Sequence, residues 1–444
     1  MSVHETFRFK TVDELLKKAE ELGINLPWQE DLDPLFQPVC LGEKEIQNRL
    51  VVHPMEGFDA NPDGSPGELT FRRYNRYAEG GSGMIWFEAT AVVKEGRSNP
   101  RQLVINRQTL PGFQRLIEDI RSSALKAFGP SHSLYLVLQL THSGRFSKPE
   151  GLPEPSVFCF NPYLDRDSNE IRLLMDEQLE QIQDIFIEAG TLAEKAGFDS
   201  VDIKASHGYL LHDFLSSFTR ENSRFGGPSF ENRTRFIREV IQGIQTRTTG
   251  LKTSSRINLY DGIPYPYGFG VRNDGSDAMD PDEPVKLARQ LKQSGCYLIN
   301  GTMGIPLLNA HLNRPYDKPL PGMSLPDEHP LEGVARLIDG VGIVQQAVPE
   351  AKLVGTGYSW LRQFFPQVAA AVLQQEKATF IGLGRSSFAY PDAPKELMQY
   401  GKIRKEKTCT SCSKCTELMR NMLVTGCPIR DKEVYGPIYK KIKR

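Results

Sequence analysis

Several things are missing from this 444-residue chain, and each absence removes a class of explanation. There is no charge excess: 54 Lys and Arg stand against 55 Asp and Glu, a formal net charge of −1. Neither a global basic surface for nucleic acid nor an acidic tail is therefore present, and the C-terminal basic runs (KIRKEK, KKIKR) read as solvated surface. No window holds the roughly 18 unbroken apolar residues that a membrane helix needs. The N-terminal MSVHETFRFKTVDELLKKAEELG is charged throughout and lacks the apolar centre of a secretory signal. It reads instead as an amphipathic helix from about Val12 to Leu22, and the expected location is the cytoplasm. No G-x-G-x-x-G follows the first β-like segment, which removes the usual dinucleotide fingerprint. Cysteine is sparse outside one tract. Cys40, Cys159 and Cys296 are scattered and read as buried thiols, whereas Cys409, Cys412, Cys415 and Cys427 fall together in CTSCSKCTELMRNMLVTGC. A secreted disulfide framework would not be confined to one short tract of a long chain, so metal or cluster ligation is expected there.

What is present is an alternation. Short β-branched runs occur at 49–54, 84–89, 134–140, 200–204, 256–260, 297–300, 352–356 and 378–382. Between them lie segments of helical period, such as PGFQRLIEDIRSSALKAF, DEQLEQIQDIFIEAGTLAEKAG and PDEPVKLARQLKQSG. Strands separated by helices pair in parallel, because parallel neighbours need crossover connections. Eight such units predict an α/β fold, a (β/α)8 TIM barrel with long loops, rather than an open doubly wound sheet.

In such a barrel the chemistry gathers at the C-terminal ends of the strands. The stretch VDIKASHGYLLHDFL then places Lys204 at the end of the fourth strand, with His207 and Tyr209 just beyond it. Other strand ends bring His53-Pro54-Met55-Glu56, Glu88-Ala89, Gln139 with His142, Arg256 and Arg385 to the same mouth. That much polarity suits a bound cofactor better than a core.

The segment HGYLLHDFLSSFTRENSRFGGPSFENRTRF, with Asn222, Arg224, Gly226, Gly227 and Glu231-Asn232-Arg233, resembles the signature of the Old Yellow Enzyme family of FMN-dependent oxidoreductases. The likeness extends through LFQPVCLGEKEIQNRLVVHPM, GSGMIWFEATAVVKEGR, QLTHSGR and FIGLGR, over about residues 35 to 395. It implies three regions: an N-terminal helical extension (1–34), an FMN-binding barrel (35–395) and a C-terminal cysteine segment (396–444). It also implies a flavin site. Gly384 and Arg385, with Gly355 and Gly357 of the preceding loop, would hold the phosphate. Gln139 would meet the pyrimidine edge, Arg256 the N1 and O2 side, and Pro54, Met55, Glu56 and Ala89 would lie near the ring. Lys204 and His207 stand where the family holds a substrate carbonyl oxygen, and Tyr209 matches its proton donor. Lys204 replaces a histidine, and Glu56 replaces a Thr, Cys or Ser, so an ion pair between these two is one expectation.

The cysteines resemble the [4Fe–4S] segment of the family branch that includes dienoyl-CoA reductase and trimethylamine dehydrogenase; a zinc site built from the same four cysteines is the alternative. The function implied is reduction of the activated C=C bond of an enone by NADH or NADPH, with flavones and steroids as candidate substrates. Electrons come either directly from the nicotinamide or from a separate donor protein. Oxidative demethylation of an amine is the second reading, and a flavin-free Schiff-base aldolase built on Lys204 the third. The expected partner is a small molecule, with no nucleic acid and no membrane; a homo-oligomer is left open.

Overall fold

The computed structural model of the protein describes residues 3–166 and 171–442. Eight strands form a closed parallel barrel: Leu50–Val52, Met84–Trp86, Tyr135–Thr141, Ser200–Ile203, Lys252–Asn258, Cys296–Thr302, Lys352–Gly355 and Phe380–Leu383. Each pairs with its neighbours in chain order, and the eighth pairs with the first (Gly382 opposite Val51), which closes the ring. Every strand expected from the sequence is present. The fifth is longer than expected, beginning at Lys252 rather than Arg256. Its polar start, KTSS, looks like loop, but the Ser254 and Ser255 hydroxyls donate to the carbonyls of Val201 (2.9 Å) and Ile203 (2.7 Å) on the neighbouring fourth strand.

Helices follow the strands and pack around them: Glu68–Glu79, Leu110–Phe128, Asp176–Ala196, Phe230–Arg247, Asp282–Gln293, Pro330–Ala347, Phe365–Gln374 and Ala393–Tyr400. The sequence punctuates them as physics requires. The long helix Asp176–Ala196 stops at Gly197, whose φ of 94° only glycine adopts without strain. Pro330–Ala347 opens with a reciprocal cap between His329 and Glu332. No helix among the described residues is long and apolar enough to cross a membrane.

Two apolar layers result. The larger lies between strands and helices and takes the outward residues, among them Leu136, Leu138, Leu140, Val201, Ile203, Ile257 and Ile299. The smaller fills the lower barrel with Val51, Met84, Trp86, Tyr135, Val137, Leu298, Val354 and Phe380. The hairpin Val39–Leu41/Lys44–Ile46 adds Leu41 and Ile46 to that inner layer and closes the end of the barrel away from the site.

Two further segments pack on the barrel. The N-terminal helix spans Val12–Glu21, capped by the Thr11 hydroxyl, which accepts from the Glu14 N–H, and buries Leu15 and Ala19. Phe7 before it packs edge-on against Trp360. The C-terminal segment carries two short helices, Lys414–Arg420 and Lys432–Tyr439. It is tied to the loops at the barrel's C-terminal face. The Thr425 N–H donates to the Gly57 carbonyl (2.7 Å), Arg420 to that of Pro306 (2.9 Å), and Ser413 to that of Lys318 (2.7 Å). Asp431 receives Arg72 and Arg76 of the first barrel helix.

Candidate active site

Strand alternation explains why the mouth is polar. Side chains two apart share a face, so the residue two beyond an inward apolar one also points inward, one layer higher. Val51 is followed by His53, Val137 by Gln139, Leu298 by Asn300 and Phe380 by Gly382. The fourth and fifth strands follow the same pitch with polar residues, from Asp202 to Lys204 and from Ser254 to Arg256. All of these are buried or, for the glycine, packed. The glycine is required: a β-carbon at Gly382 would sit 1.8 Å from His53 Nε2, so the imidazole occupies the space a side chain would need.

A buried carboxylate, Asp202, organises one side of the site. It accepts from Gln139 Nε2 (2.6 Å), Trp86 Nε1 (2.8 Å) and the Arg256 backbone N–H (2.6 Å). Burial pushes its pKa up, and these donors oppose the rise. Sequence reasoning missed Asp202, although an acid in the midst of the apolar run SVDI was a readable signal. Arg256, placed by the sequence at a strand end, lies inside the fifth strand, and burial lowers its pKa to about 10.

The fourth-strand loop is fixed by a second network. The Gly208 N–H donates to His212 Nδ1 (3.0 Å), so the His212 proton is on Nε2, which donates to Asp261 (3.0 Å). Asn258 donates to the same carboxylate (2.8 Å) and accepts from the His207 N–H (3.2 Å). His207 is held with φ 66°, and the Asn313 amide lies 2.9 Å from its Nε2 while also donating to the Thr302 hydroxyl. With Nε2 accepting, Nδ1–H is the donor left to the ring. Burial, then the nearby Arg256 and Lys204 charges, hold His207 well below its ordinary pKa, so it is neutral.

The expected Lys204, His207 and Tyr209 come together. Lys204 is 4 % exposed, and its ammonium sits 3.3 Å from the centre of the Tyr209 ring, a cation–π contact. Burial lowers its pKa to about 8, against the attraction of Glu56. The expected Glu56–Lys204 ion pair is not formed as a direct contact. Glu56 turns instead toward Tyr209, Ser98 and Gln102: Tyr209 Oη donates to Oε2 (3.4 Å), while Gln102 Nε2 (3.0 Å) and Ser98 Oγ (3.2 Å) donate to Oε1. Gln102 also donates to the carbonyl of Ala89 (2.8 Å). Burial raises the Glu56 pKa, which the Lys204 charge opposes, and burial with the Glu56 charge puts the Tyr209 phenol well above 10.

The site fits a flavin on its own terms. Among the described residues, several buried polar atoms at the mouth have no partner: His53 Nε2, Thr141 Oγ1, Arg256 Nε and both amide atoms of Asn300. So many unsatisfied groups at one place need a polar ligand. Gly357, with φ 101°, allows the seventh-strand loop to turn, and Gly384 lies against Met55 Sδ. Arg385 has two faces: its Nη2 donates to the Pro315 carbonyl (2.6 Å), its Nη1 has no partner among the described residues, and the side chain borders the cysteine cavity.

Cys409, Cys412, Cys415 and Cys427 line that one cavity with Arg385, Phe388 and Arg430. The N–H groups of Ser411 and Arg430 donate to the sulfurs of Cys409 and Cys427 (3.4 Å each). Among the described residues, however, no group of three or more His, Cys, Asp or Glu is arranged to hold a metal ion. The four thiols border a shared space.

Residues 34–267 match the sequence profile of the NADH:flavin oxidoreductase / NADH oxidase family. An NADPH dehydrogenase of Bacillus cytotoxicus is 30% identical over 352 residues, covering 76% of this chain and 92% of the relative. Among solved structures, a 2-naphthoyl-CoA reductase in complex with 2-naphthoyl-CoA shares the fold with a TM-score of 0.72 at 20% identity over 93% of this chain. The chain spans 58% of that protein's length. Morphinone reductase in complex with tetrahydroNAD gives a TM-score of 0.60 at 21% identity, over 84% of this chain and 92% of the other.

Proposed function

The chain belongs to the NADH:flavin oxidoreductase / NADH oxidase family, and from that premise we propose that it reduces the activated C=C bond of α,β-unsaturated carbonyl compounds with NAD(P)H. FMN, when bound, supplies hydride transfer. Gln139, Arg256 and the polar atoms of His53, Thr141 and Asn300 would hold the flavin ring, Pro54, Met55 and Ala89 would lie beside it, and the turns at Gly355, Gly357, Gly384 and Arg385 would receive the phosphate. The observation that carries the reading is the convergence of three donors of different kinds on one mouth: the Lys204 ammonium, the neutral His207 and the Tyr209 phenol.

The donors divide the work. Lys204 and His207 Nδ1–H bind a carbonyl oxygen and stabilise it as it gains negative charge. Tyr209 delivers a proton to the α-carbon; with its pKa above 10 it is protonated at neutral pH and never competes as an anion. The buried ammonium of Lys204 also disfavours the cationic substrates of an amine dehydrogenase. The flavin-free aldolase reading of Lys204 falls with the family assignment.

The cysteine cavity belongs to the same proposal as the seat of a [4Fe–4S] cluster. Four thiols line one space, backbone N–H groups already donate to two of the sulfurs, and the Arg385 and Arg314 charges offset thiolates at Cys415. Residues 1–34, 35–395 and 396–444 then act as extension, flavin barrel and cluster segment.

The test is the visible spectrum of anaerobically purified protein before and after NADH, followed by turnover with 2-cyclohexenone. Because the solved relatives are named as reductases of 2-naphthoyl-CoA and morphinone, those compounds head the wider screen. Flavin bands that bleach with NADH and return with an enone are expected, over a broad sulfur-to-iron background. A protein that stays colourless after reconstitution with FMN and iron and sulfide refutes the scheme.

A further inference from the structure

Glu56 has no counterpart in the division of labour above, yet three side chains at the mouth donate to it. Gln102 is fixed by two backbone groups: its Oε1 accepts from the Ser98 N–H (2.6 Å) and its Nε2 donates to the Ala89 carbonyl (2.8 Å). The orientation of that amide is therefore unambiguous, and Nε2 must also be the donor to Glu56 Oε1. The Ser98 hydroxyl reaches the same oxygen. With Oε1 occupied by donors, a proton on the carboxyl group belongs on Oε2, the oxygen that faces Tyr209 Oη. The Lys204 ammonium lies over the ring of that tyrosine, and Arg420, reaching in from the C-terminal segment, attracts its phenolate form. Arg256 and Asp202 are the remaining charges near Lys204.

We propose that Glu56 is a catalytic proton donor to Tyr209: its Oε2 restores the proton that the phenol gives to the substrate in each turnover. The proposal rests on the reading of Tyr209 as proton donor. Its chemistry balances. Hydride reaches the β-carbon, and the electron pair displaced from the C=C bond forms a new C–H bond at the α-carbon with the Tyr209 proton. The O–H bond at Tyr209 breaks, and the Glu56 proton crosses to the phenolate oxygen. The resulting Glu56 carboxylate is held by Gln102 and Ser98 beside the Lys204 cation, and water supplies the next proton. The separation of the two residues in sequence concealed the pair, and Ser98 and Gln102 are the positioning residues that make it directional.

The test uses Glu56→Gln in the full chain. A glutamine keeps Oε1 as acceptor for Gln102 and Ser98 and turns an amide nitrogen toward Tyr209, so a merely structural role survives while proton supply does not. Two readouts are needed. In flavin-free protein at pH 6, the wild-type-minus-E56Q infrared difference spectrum should contain the carbonyl stretch of one protonated carboxyl group; no such band overturns the proposal. Over repeated turnovers with 2-cyclohexenone, E56Q should slow reoxidation relative to reduction by NADH by about tenfold or more, the lower range of general-acid effects, while its first turnover keeps the wild-type rate. Tyr209→Phe separates the two claims. If Y209F slows reoxidation and E56Q does not, the relay fails alone; if neither does, the donor reading fails with it. Should E56Q not fold, E56D, which withdraws the carboxyl by one methylene, is expected to show the same selective slowing, and a wild-type profile there overturns the proposal equally.

Discussion

Replacing Lys204 by methionine should make the flavin-free protein more stable at neutral pH and the enzyme less active. The magnitude follows from burial. The ammonium's pKa falls from an ordinary 10.5 to about 8 because desolvation outweighs the attraction of Glu56. At about 1.4 kcal/mol for each tenfold change in proton affinity, holding the charged form in the fold costs about 3 kcal/mol. Methionine has a similar length and no charge, and because that cost already includes the attraction of Glu56, the net gain is about 3 kcal/mol. For a chain of this size that is about 2–4 °C in Tm. The pH dependence is the distinguishing mark. Between about pH 8 and 10.5 the unfolded chain holds a proton at Lys204 that the folded chain lacks, so wild-type stability at this site rises with pH. The advantage of Lys204→Met is therefore full below pH 8 and vanishes near pH 10.5. Thermal melts of both flavin-free proteins at pH 7 and pH 10 would measure it. A wild type that is the more stable at pH 7, or a gap that does not close with pH, refutes the account of Lys204 as a charge held against its solvation.

Three further outcomes are expected. Tyr209→Phe should slow reoxidation by an enone far more than reduction by NADH, by about 10²-fold, measured by stopped-flow flavin absorbance. Asp202→Asn weakens the charge-assisted bonds to Gln139, Trp86 and the Arg256 backbone, worth about 1.5–3 kcal/mol each when lost outright; FMN affinity, read from flavin fluorescence on titration, should fall at least about tenfold. Gly382→Ala drives a methyl group into the His53 ring and should cost about 1–3 kcal/mol of stability, seen as a lower Tm, with weakened FMN binding; an unchanged Tm would mean that His53 can move aside freely.

The barrel was legible because its strands and helices each obey a local rule. β-branched runs stop at polar mouths, helices start on acids and stop on glycine, and the alternation repeats. The fifth strand escaped in part because Ser254 and Ser255 look like turn residues, and only their hydroxyl bonds to the fourth strand make them a ladder. Lys204, His207 and Tyr209 were readable because they are close in sequence. The partners that fix them were not: Glu56 with Tyr209, His207 with Thr302 and Asn313, and the Arg420 charge beside Tyr209 all join segments brought together by closure of the barrel and docking of the C-terminal segment. Local pattern carries no record of such long-range neighbours. Asp202 is different, a signal present in the sequence and passed over as one polar residue in a short strand.

The segment that ties Thr425 to Gly57 and Asp431 to Arg72 and Arg76 also has a history during synthesis. Every barrel strand leaves the ribosome before residue 425 does, so the barrel can close while its mouth is still bare. A flavin arriving in that interval meets an open entrance. One arriving later meets the C-terminal segment already held by the Asp431 ion pairs and the Gly57 hydrogen bond. Loading during translation and reconstitution of finished apoprotein should therefore differ in speed, and the difference resides in those few contacts.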